Sequence, residues 1–416
     1  MKKKRKEKRS SAGRLLSVAM LFYFLAFGLL FLYRFDTRAL MLALAVPVLI
    51  FVSVRGLPKL FPADQLLLSL TSFLAALGVL VLYRLDPERG MSHLINYMVA
   101  IAAMLTCTVG VRFIRRWRLL AWLAVPVSLG LLVLPLIYGS EINGAKNWVT
   151  LFGFGFQPSE LVKLSLVVAL AWLLSRRKLV LAVVLTGACL GLLMLQKDLG
   201  TALLYFGMAL LMMYASTGSP LILAAGAVGG AGGAYLGYRM FAHVKRRVAV
   251  WLNPWADRQG AGYQIVQGLI AIANGGVWGT GLRLGNPGVI PASYNDYIFT
   301  VICHEFGVVF GLAVLLIYLA VVMRGLAVAR QSDNTFHALL SLGCTVMLGL
   351  QTFVIVGGNI KLIPLTGVTL PLISYGGTSL VSSMCLVGIM QGVFAVNRAR
   401  MRKAREEALY EGEGAL

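Results

Sequence analysis

Tyr294-Asn-Asp-Tyr-Ile-Phe-Thr-Val-Ile-Cys-His-Glu-Phe-Gly-Val-Val-Phe-Gly311 is the stretch on which the reading turns. It ends a long polar, basic loop and opens an apolar helix, and Asp296 sits at the junction. A carboxylate there has structural uses. It can face water, or sit at a helix N-terminus where the dipole favours it. It also borders an apolar segment, and ionisable groups near membrane depth lean towards function. On one continuous helix Asp296 and Glu305 would lie on opposite faces, ~13 Å apart along the axis. That spacing excludes the close carboxylate pair of a glycosidase and leaves Asp296 to act largely alone, as a general base.

Outward from this stretch the chain is apolar. Of 416 residues 59% are hydrophobic and 13% charged, and the mean hydropathy is +0.81. This is the composition of an all-α polytopic membrane protein rather than of a soluble domain. Twelve apolar runs serve as candidate spans: 15–33, 39–54, 65–83, 92–111, 117–138, 158–174, 179–195, 199–215, 220–238, 297–323, 335–356 and 370–396. With the N-terminus inside, cytoplasmic segments hold 24 Lys and Arg and outer segments 13, while Lys163 lies within a span. The bias predicts both termini on the cytoplasmic side. The basic start leads into an apolar run with no cleavage site, so it reads as an uncleaved first span. Residues 398–416 read as a mobile cytoplasmic tail. The net charge of +22 is assigned to membrane anchoring and anionic lipid, not to nucleic acid. Cys107, Cys189, Cys303, Cys344 and Cys385 are scattered, with no metal or disulfide spacing. No phosphate-binding loop or dinucleotide fingerprint occurs.

Three outer segments break the pattern. The first is 138–157. The second, 239–295, carries Lys245, Arg246 and Arg247 at the start of an amphipathic stretch, which fits a helix on the membrane surface. A second amphipathic or re-entrant piece follows at Tyr263–Trp278, and then a glycine-rich turn. The excess of cations here opposes the positive-inside trend and suggests a platform for an anionic head group such as a pyrophosphate. The third segment, 357–379, is rich in glycine and holds Pro364 and Pro371. Broken backbone at membrane depth survives only under protein cover or beside water, so it predicts a cavity wall.

Two further places could carry chemistry. Pro158 opens a span, and Glu160 and Lys163 follow at i, i+3 spacing on one face, where they can pair or bind substrate. Asp198 lies in a tight turn where it can cap the next helix or contact substrate.

Asn143-Gly-Ala-Lys-Asn-Trp148, Gln157-Pro-Ser-Glu-Leu-Val-Lys163, Asp198-Leu-Gly-Thr201, Asn295-Asp-Tyr-Ile-Phe299, His304-Glu-Phe-Gly307 and the run Ile363 to Gly377 resemble the SEDS family (shape, elongation, division and sporulation; RodA/FtsW/SpoVE-like). The resemblance implies a bundle of ten core transmembrane helices. Divided on it, the chain has a basic segment 1–14, two added helices in 15–64, a core at 65–397 with a large extracellular loop at 239–295, and the tail 398–416. It implies an enzyme of the bacterial cytoplasmic membrane that polymerises lipid II into glycan strands on the outer face, working with a class B penicillin-binding protein transpeptidase. By motif, Asp296 corresponds to the family's essential aspartate. Glu160 and Lys163 correspond to polar residues of its central cavity. Asp198 falls in its Asp-Leu-Gly-Thr turn, and Lys146 in the Asn143–Trp148 motif is taken with Lys245, Arg246 and Arg247 as a substrate contact. Tyr297 stands where the family commonly has Phe, His304 where it has Glu, and Gly155 where many members carry a base.

The chemistry this implies is one inverting displacement, because an α-linked donor gives a β-linked product. The acceptor hydroxyl loses a proton to a positioned carboxylate. The leaving pyrophosphate needs cations or a divalent ion, magnesium or manganese, for which the sequence shows no ligand set. A lipid-linked precursor flippase would need no carboxylate at the outer edge and would carry charge through the whole depth of its cavity. A non-catalytic scaffold for a transpeptidase would not need Asp296. The charges here cluster on the outer side, which favours the enzyme.

Overall fold

The computed structural model describes residues 2–114, 116–142, 145–151 and 153–413. The elements run α1 (Lys2–Arg34), α2 (Thr37–Phe51), which passes through a π turn (Val52–Gly56) into α3 (Leu57–Leu60), α4 (Gln65–Leu85), α5 (Pro87–Phe113) and α6 (Trp117–Tyr138). Three short strands follow: β1 (Ser140–Ile142), β2 (Ala145–Leu151) and β3 (Phe154–Phe156). Then come α7 (Pro158–Ser175), α8 (Leu179–Leu195), α9 (Leu199–Thr217), α10 (Pro220–Met240), α11 (Ala242–Leu252), α12 (Tyr263–Gly275), α13 (Ile298–Arg330), α14 (Thr335–Asn359) and α15 (Gly377–Glu413). Eleven described helices are long and apolar enough to cross a membrane, and α8 is a shorter apolar one of 17 residues. The chain is a multi-pass membrane protein built almost wholly of helices.

Capping residues fix where these helices begin. The side chains of Asp36, Asp64, Asp86, Asp198 and Asn334 accept backbone N–H groups at the starts of α2, α4, α5, α9 and α14, each worth ~1 kcal/mol. Pro158 and Pro220 open α7 and α10, where a missing N–H costs nothing. α4 and α15 form the centre, with 89% of the apolar window of each buried, whereas only 6% of that of α10 is covered. α15 lies against α5 at backbone distance. A Cβ at Gly388 would fall 2.3 Å from the Met104 carbonyl oxygen, and one at Gly392 would fall 2.5 Å from Val111 Cβ. Small residues four apart permit this approach.

Two differences from the sequence reading matter for the site. First, α13 is not continuous. Gly307 is non-helical, with φ 86° and ψ 165°, a conformation open to glycine alone at little cost. Asp296 precedes the helix rather than lying in it, so the helical-wheel argument relating it to Glu305 does not apply. Second, the outer segment 138–157, to which the sequence reading gave no secondary structure, carries a small antiparallel sheet, β1-β2-β3. The basic start joins α1, and the tail stays helical to Glu413. Arg402–Glu406 and Lys403–Glu407 pairs span successive turns of that tail.

The break at Gly307 frees backbone groups that lipid could not satisfy. The chain after α12 takes them up. His304 O accepts from Thr280 N (3.0 Å), Glu305 O from Gly281 N (3.0 Å), and Val308 N donates to Gly276 O (3.0 Å). The glycine-rich turn is therefore a patch laid on a broken helix. The connections 241–297 and 360–376 and the sheet all gather at one end of the bundle, the loop end. The start of α1 and the end of α15 lie at the other, the tail end.

Candidate active site

Asp296 sits in a turn at the loop end, half-buried, one residue before the buried Tyr297. The turn is pinned from outside itself. Asn359 Nδ2 donates to Asp296 O (2.6 Å), Ser374 Oγ to Asn295 O (2.7 Å), and Tyr375 N to Tyr294 O (2.9 Å). The backbone that carries the carboxylate is thus held by the side chains of Asn359, at the end of α14, and Ser374, and by the backbone of the 360–376 strap. Burial pushes its pKa up to about 6, with the Arg247 guanidinium pulling the other way. A proton acceptor with a raised pKa near working pH suits general-base chemistry.

Arg247 is the cation whose charge acts on this carboxylate. Its Nη1 donates to Thr366 O (2.7 Å). The next residue, Gly367, lies between the two charges: a Cβ there would be 3.6 Å from Arg247 Nη2 and 3.9 Å from Asp296 Oδ2. α11 docks on the strap a second time through Trp251 Nε1, which donates to Lys361 O (3.1 Å). The sequence reading grouped Lys245, Arg246 and Arg247 as one platform. Successive helical residues point ~100° apart, and although Lys245, Arg246 and Arg247 are all exposed on α11, among the described residues only Arg247 of the three hydrogen-bonds to the strap. His243 on the same helix has its pKa lowered by burial and by Arg247 and Lys197, a sign of positive potential at this face.

Glu160 and Lys163 do pair, at 2.5 Å, both buried. Ser382 Oγ donates to Glu160 Oε2 (2.7 Å), and Lys163 Nζ donates to Gln351 Oε1 (2.9 Å). Gln351 Nε2 donates in turn to Thr369 O (2.8 Å), and Thr369 Oγ1 meets Ser379 Oγ (2.6 Å). A buried polar chain therefore runs from α7 through α14 to the strap, two residues beyond Gly367. Gln351 was missed in the sequence. Its signal was a lone amide within an apolar span.

Asp198 is occupied. Its carboxylate accepts from Asn147 Nδ2 (3.0 Å), Gln157 Nε2 (3.2 Å), Thr201 N (3.1 Å) and Thr201 Oγ1 (3.0 Å). It ties β2 and the start of α7 to the start of α9. Gly200 then meets the strap, since a Cβ there would lie 3.0 Å from Thr366 O. Lys146 Nζ donates to Leu136 O near the end of α6 (2.9 Å). Both residues hold the framework in this state. Asn143 and Gly144 of the same motif lie outside the described residues.

Glu305 forms a buried ion pair with Arg84 Nε at 2.7 Å, and Arg84 Nη2 donates to Gly285 O (2.9 Å). His304 Nδ1 is 2.9 Å from Ala271 O. These contacts bind the patch to α4 and α13 and explain why Glu305 is not paired with Asp296. Beside them a cavity of about 340 Å³ is rimmed by Arg84, Arg89, Asn286 and Ser293. Arg89 lies 3.6 Å from the Tyr294 ring centroid, next to the Asp296 turn. Among the described residues no three His, Cys, Asp or Glu side chains gather where they could hold a metal ion.

Comparison with known proteins places the chain in a family. The model of the FtsW/RodA/SpoVE cell cycle protein family matches residues 64–399. The chain is 35% identical over 360 residues to the peptidoglycan glycosyltransferase RodA of Mycobacterium bovis, covering 79% of this chain and 77% of that one. A chain from a solved peptidoglycan synthase complex superposes with a TM-score of 0.66 at 30% identity, covering 82% of this chain and 98% of its own. The rod shape determining protein RodA of Thermus thermophilus gives 0.57 at 30% identity, over 81% and 98%. The matched segment holds α4 to α10 and α13 to α15, ten apolar helices, and leaves α1 to α3 before it. The chain belongs to the FtsW/RodA/SpoVE cell cycle protein family.

Proposed function

We propose that this protein is a peptidoglycan glycosyltransferase that extends glycan strands from lipid II at the loop end, with Asp296 as general base. The observation that carries the reading is the half-buried Asp296, raised to about 6 and facing a single guanidinium across Gly367. The acceptor sugar hydroxyl attacks the anomeric carbon of the donor. Asp296 takes the proton as the new bond forms, and the pyrophosphate leaves from the opposite face. Arg247 supplies positive charge for the leaving group, a hydrogen-bonded role that weighs more where water is scarce. The Glu160–Lys163 chain sets the strap that carries Thr366 and Gly367. A divalent ion, if it enters, comes held mainly by the pyrophosphate, as magnesium commonly does.

The loop end faces outwards in this reading and both termini face the cytoplasm, supported by the excess of Lys and Arg at the tail end. A class B penicillin-binding protein transpeptidase is the proposed partner. The likeness to a chain of a peptidoglycan synthase complex supports it.

The experiment is lipid II polymerisation by purified Asp296→Asn protein, compared with wild type at equal folded amounts. Removal of a general base lowers the rate 10²–10⁴-fold, by order of magnitude. Glycan chains at near wild-type rate would discard the enzyme assignment of this site and favour a flippase or scaffold.

A further inference from the structure

At the tail end, far from Asp296, lies a larger cavity of about 750 Å³ that the proposed reaction does not use. It opens between the start of α6, the end of α7 and the start of α14. Its floor is aromatic. Phe336 packs against Trp117 (ring centroids 5.0 Å apart) and against Trp172 (5.8 Å). Its rim is cationic, with Arg116, Arg118 and Arg176 among the lining residues. Arg176 lies over the Trp172 ring (4.8 Å), and Lys178 over Trp122 (5.6 Å). Among the described residues none of these four cations forms an ion pair with a carboxylate. The nearby acid Asp333 is held by Arg400 at 3.3 Å.

The geometry points to a binding site for an anionic phospholipid of the leaflet at this end. Two features select a lipid over a free anion. The rim presents guanidinium groups, which match phosphate oxygens by paired hydrogen bonds. The wall below runs on into exposed apolar side chains of α6 and α8, namely Leu119, Trp122, Leu123, Val180 and Leu181. A phosphate seated at the rim thereby places acyl chains along a surface already suited to them. Basic pockets between membrane helices take anionic head groups by the same combination. Indole rings at the level of the head groups complete the match.

The test uses the full chain in nanodiscs and follows tryptophan quenching by brominated phosphatidylglycerol against brominated phosphatidylcholine of the same chains. Trp117, Trp122 and Trp172 are the reporters. Wild type is expected to quench with phosphatidylglycerol at ~10-fold lower mole fraction, and R116Q/R118Q/R176Q to lose that preference. Native mass spectrometry of detergent-extracted protein should show one phosphatidylglycerol retained by wild type and lost from the triple variant. Glycerol 3-phosphate should not displace it. Equal quenching by the two lipids in wild type overturns the proposal, and so does a folded triple variant that keeps the preference. Displacement by glycerol 3-phosphate alone would assign the site to a soluble phosphate compound instead. If the triple variant does not fold, the wild-type comparison decides by itself.

Discussion

At the scale of single residues, the raised pKa of Asp296 makes two opposite demands. As a base it must be ionised, so the polymerisation rate should rise through about pH 6 and level off above it. Arg247 opposes the effect of burial, so Arg247→Gln should move that rising limb to higher pH as well as slow the reaction. A pH–rate profile checks both, and an unmoved limb would separate Arg247 from Asp296. For folding the sign is reversed. A carboxyl of ordinary pKa ~3.9 in the unfolded chain binds its proton more tightly when folded. Its favourable contribution appears as pH falls from about 6 towards 4, and its cost is present at neutral pH. Asp296→Asn escapes that cost. Its Tm at pH 7.5 should equal or exceed that of wild type while its activity is lost. The position of Asp296 was legible from its place between a basic loop and an apolar run. Its restraints, Asn359, Ser374 and Gly367, were legible only as a glycine- and proline-rich stretch, because which backbone groups a strap meets is set by long-range packing.

At the scale of elements, the broken α13 explains contacts that a helical wheel could not. The wheel assumed a helix through Gly307, and one glycine in an apolar run carries no mark that it will leave the helix. The Arg84–Glu305 pair joins α4 to the patched region, and its partners are far apart in sequence. Glu305→Gln leaves a guanidinium in a site only 12% exposed, without its counter-charge. Breaking one partner of a buried pair costs about 3–5 kcal/mol. The variant should melt earlier, while the activity of its folded fraction stays close to wild type. Arg84→Met combined with Glu305→Leu should recover most of the loss, which thermal melting in detergent measures. The sheet was the other element missed. Its β2 strand, Ala145–Leu151, does not alternate polar and apolar residues, so the period of two that marks a half-buried strand was not there to be read. The tight contact of α15 with α5 did have its sign, in two glycines four residues apart.

At the scale of the whole molecule, hydropathy carried furthest, because a bilayer demands long apolar helices whatever their neighbours. The runs read from the sequence correspond to the apolar helices of the structure. The last run began too early, since 370–376 belongs to the strap and α15 starts at Gly377. Nothing in the sequence told how the first two helices sit. They pack on α4 and α13: Phe22 stacks on Phe310 of α13, and Tyr83 Oη of α4 donates to Asp36 Oδ2 (2.5 Å). Arg283 of the glycine-rich turn lies 5.0 Å from the Tyr33 ring centroid. The orientation of the bundle is a separate matter with its own measurement. A reporter fused after Arg258 should be active on the outside, and one fused after Arg405 in the cytoplasm. Either result reversed would turn the molecule over.

The strap has a consequence for the fate of an activated sugar. A base that strips a proton from a hydroxyl treats water and saccharide alike, and water is far more abundant. Catalysis by Asp296 would then waste its donor as a free reducing sugar, unless the turn is kept dry enough for the second saccharide to compete. Asn359, Ser374 and the strap backbone hold the turn in which the carboxylate is half-buried, and that burial is what raises its pKa. In the proposed reaction the same burial would limit the access of bulk solvent to the anomeric carbon. One burial would thus, in that reaction, tune the base and set the partition between polymer growth and hydrolysis, so that the protein acts as a transferase rather than as a hydrolase of the sugar–pyrophosphate bond of its own donor.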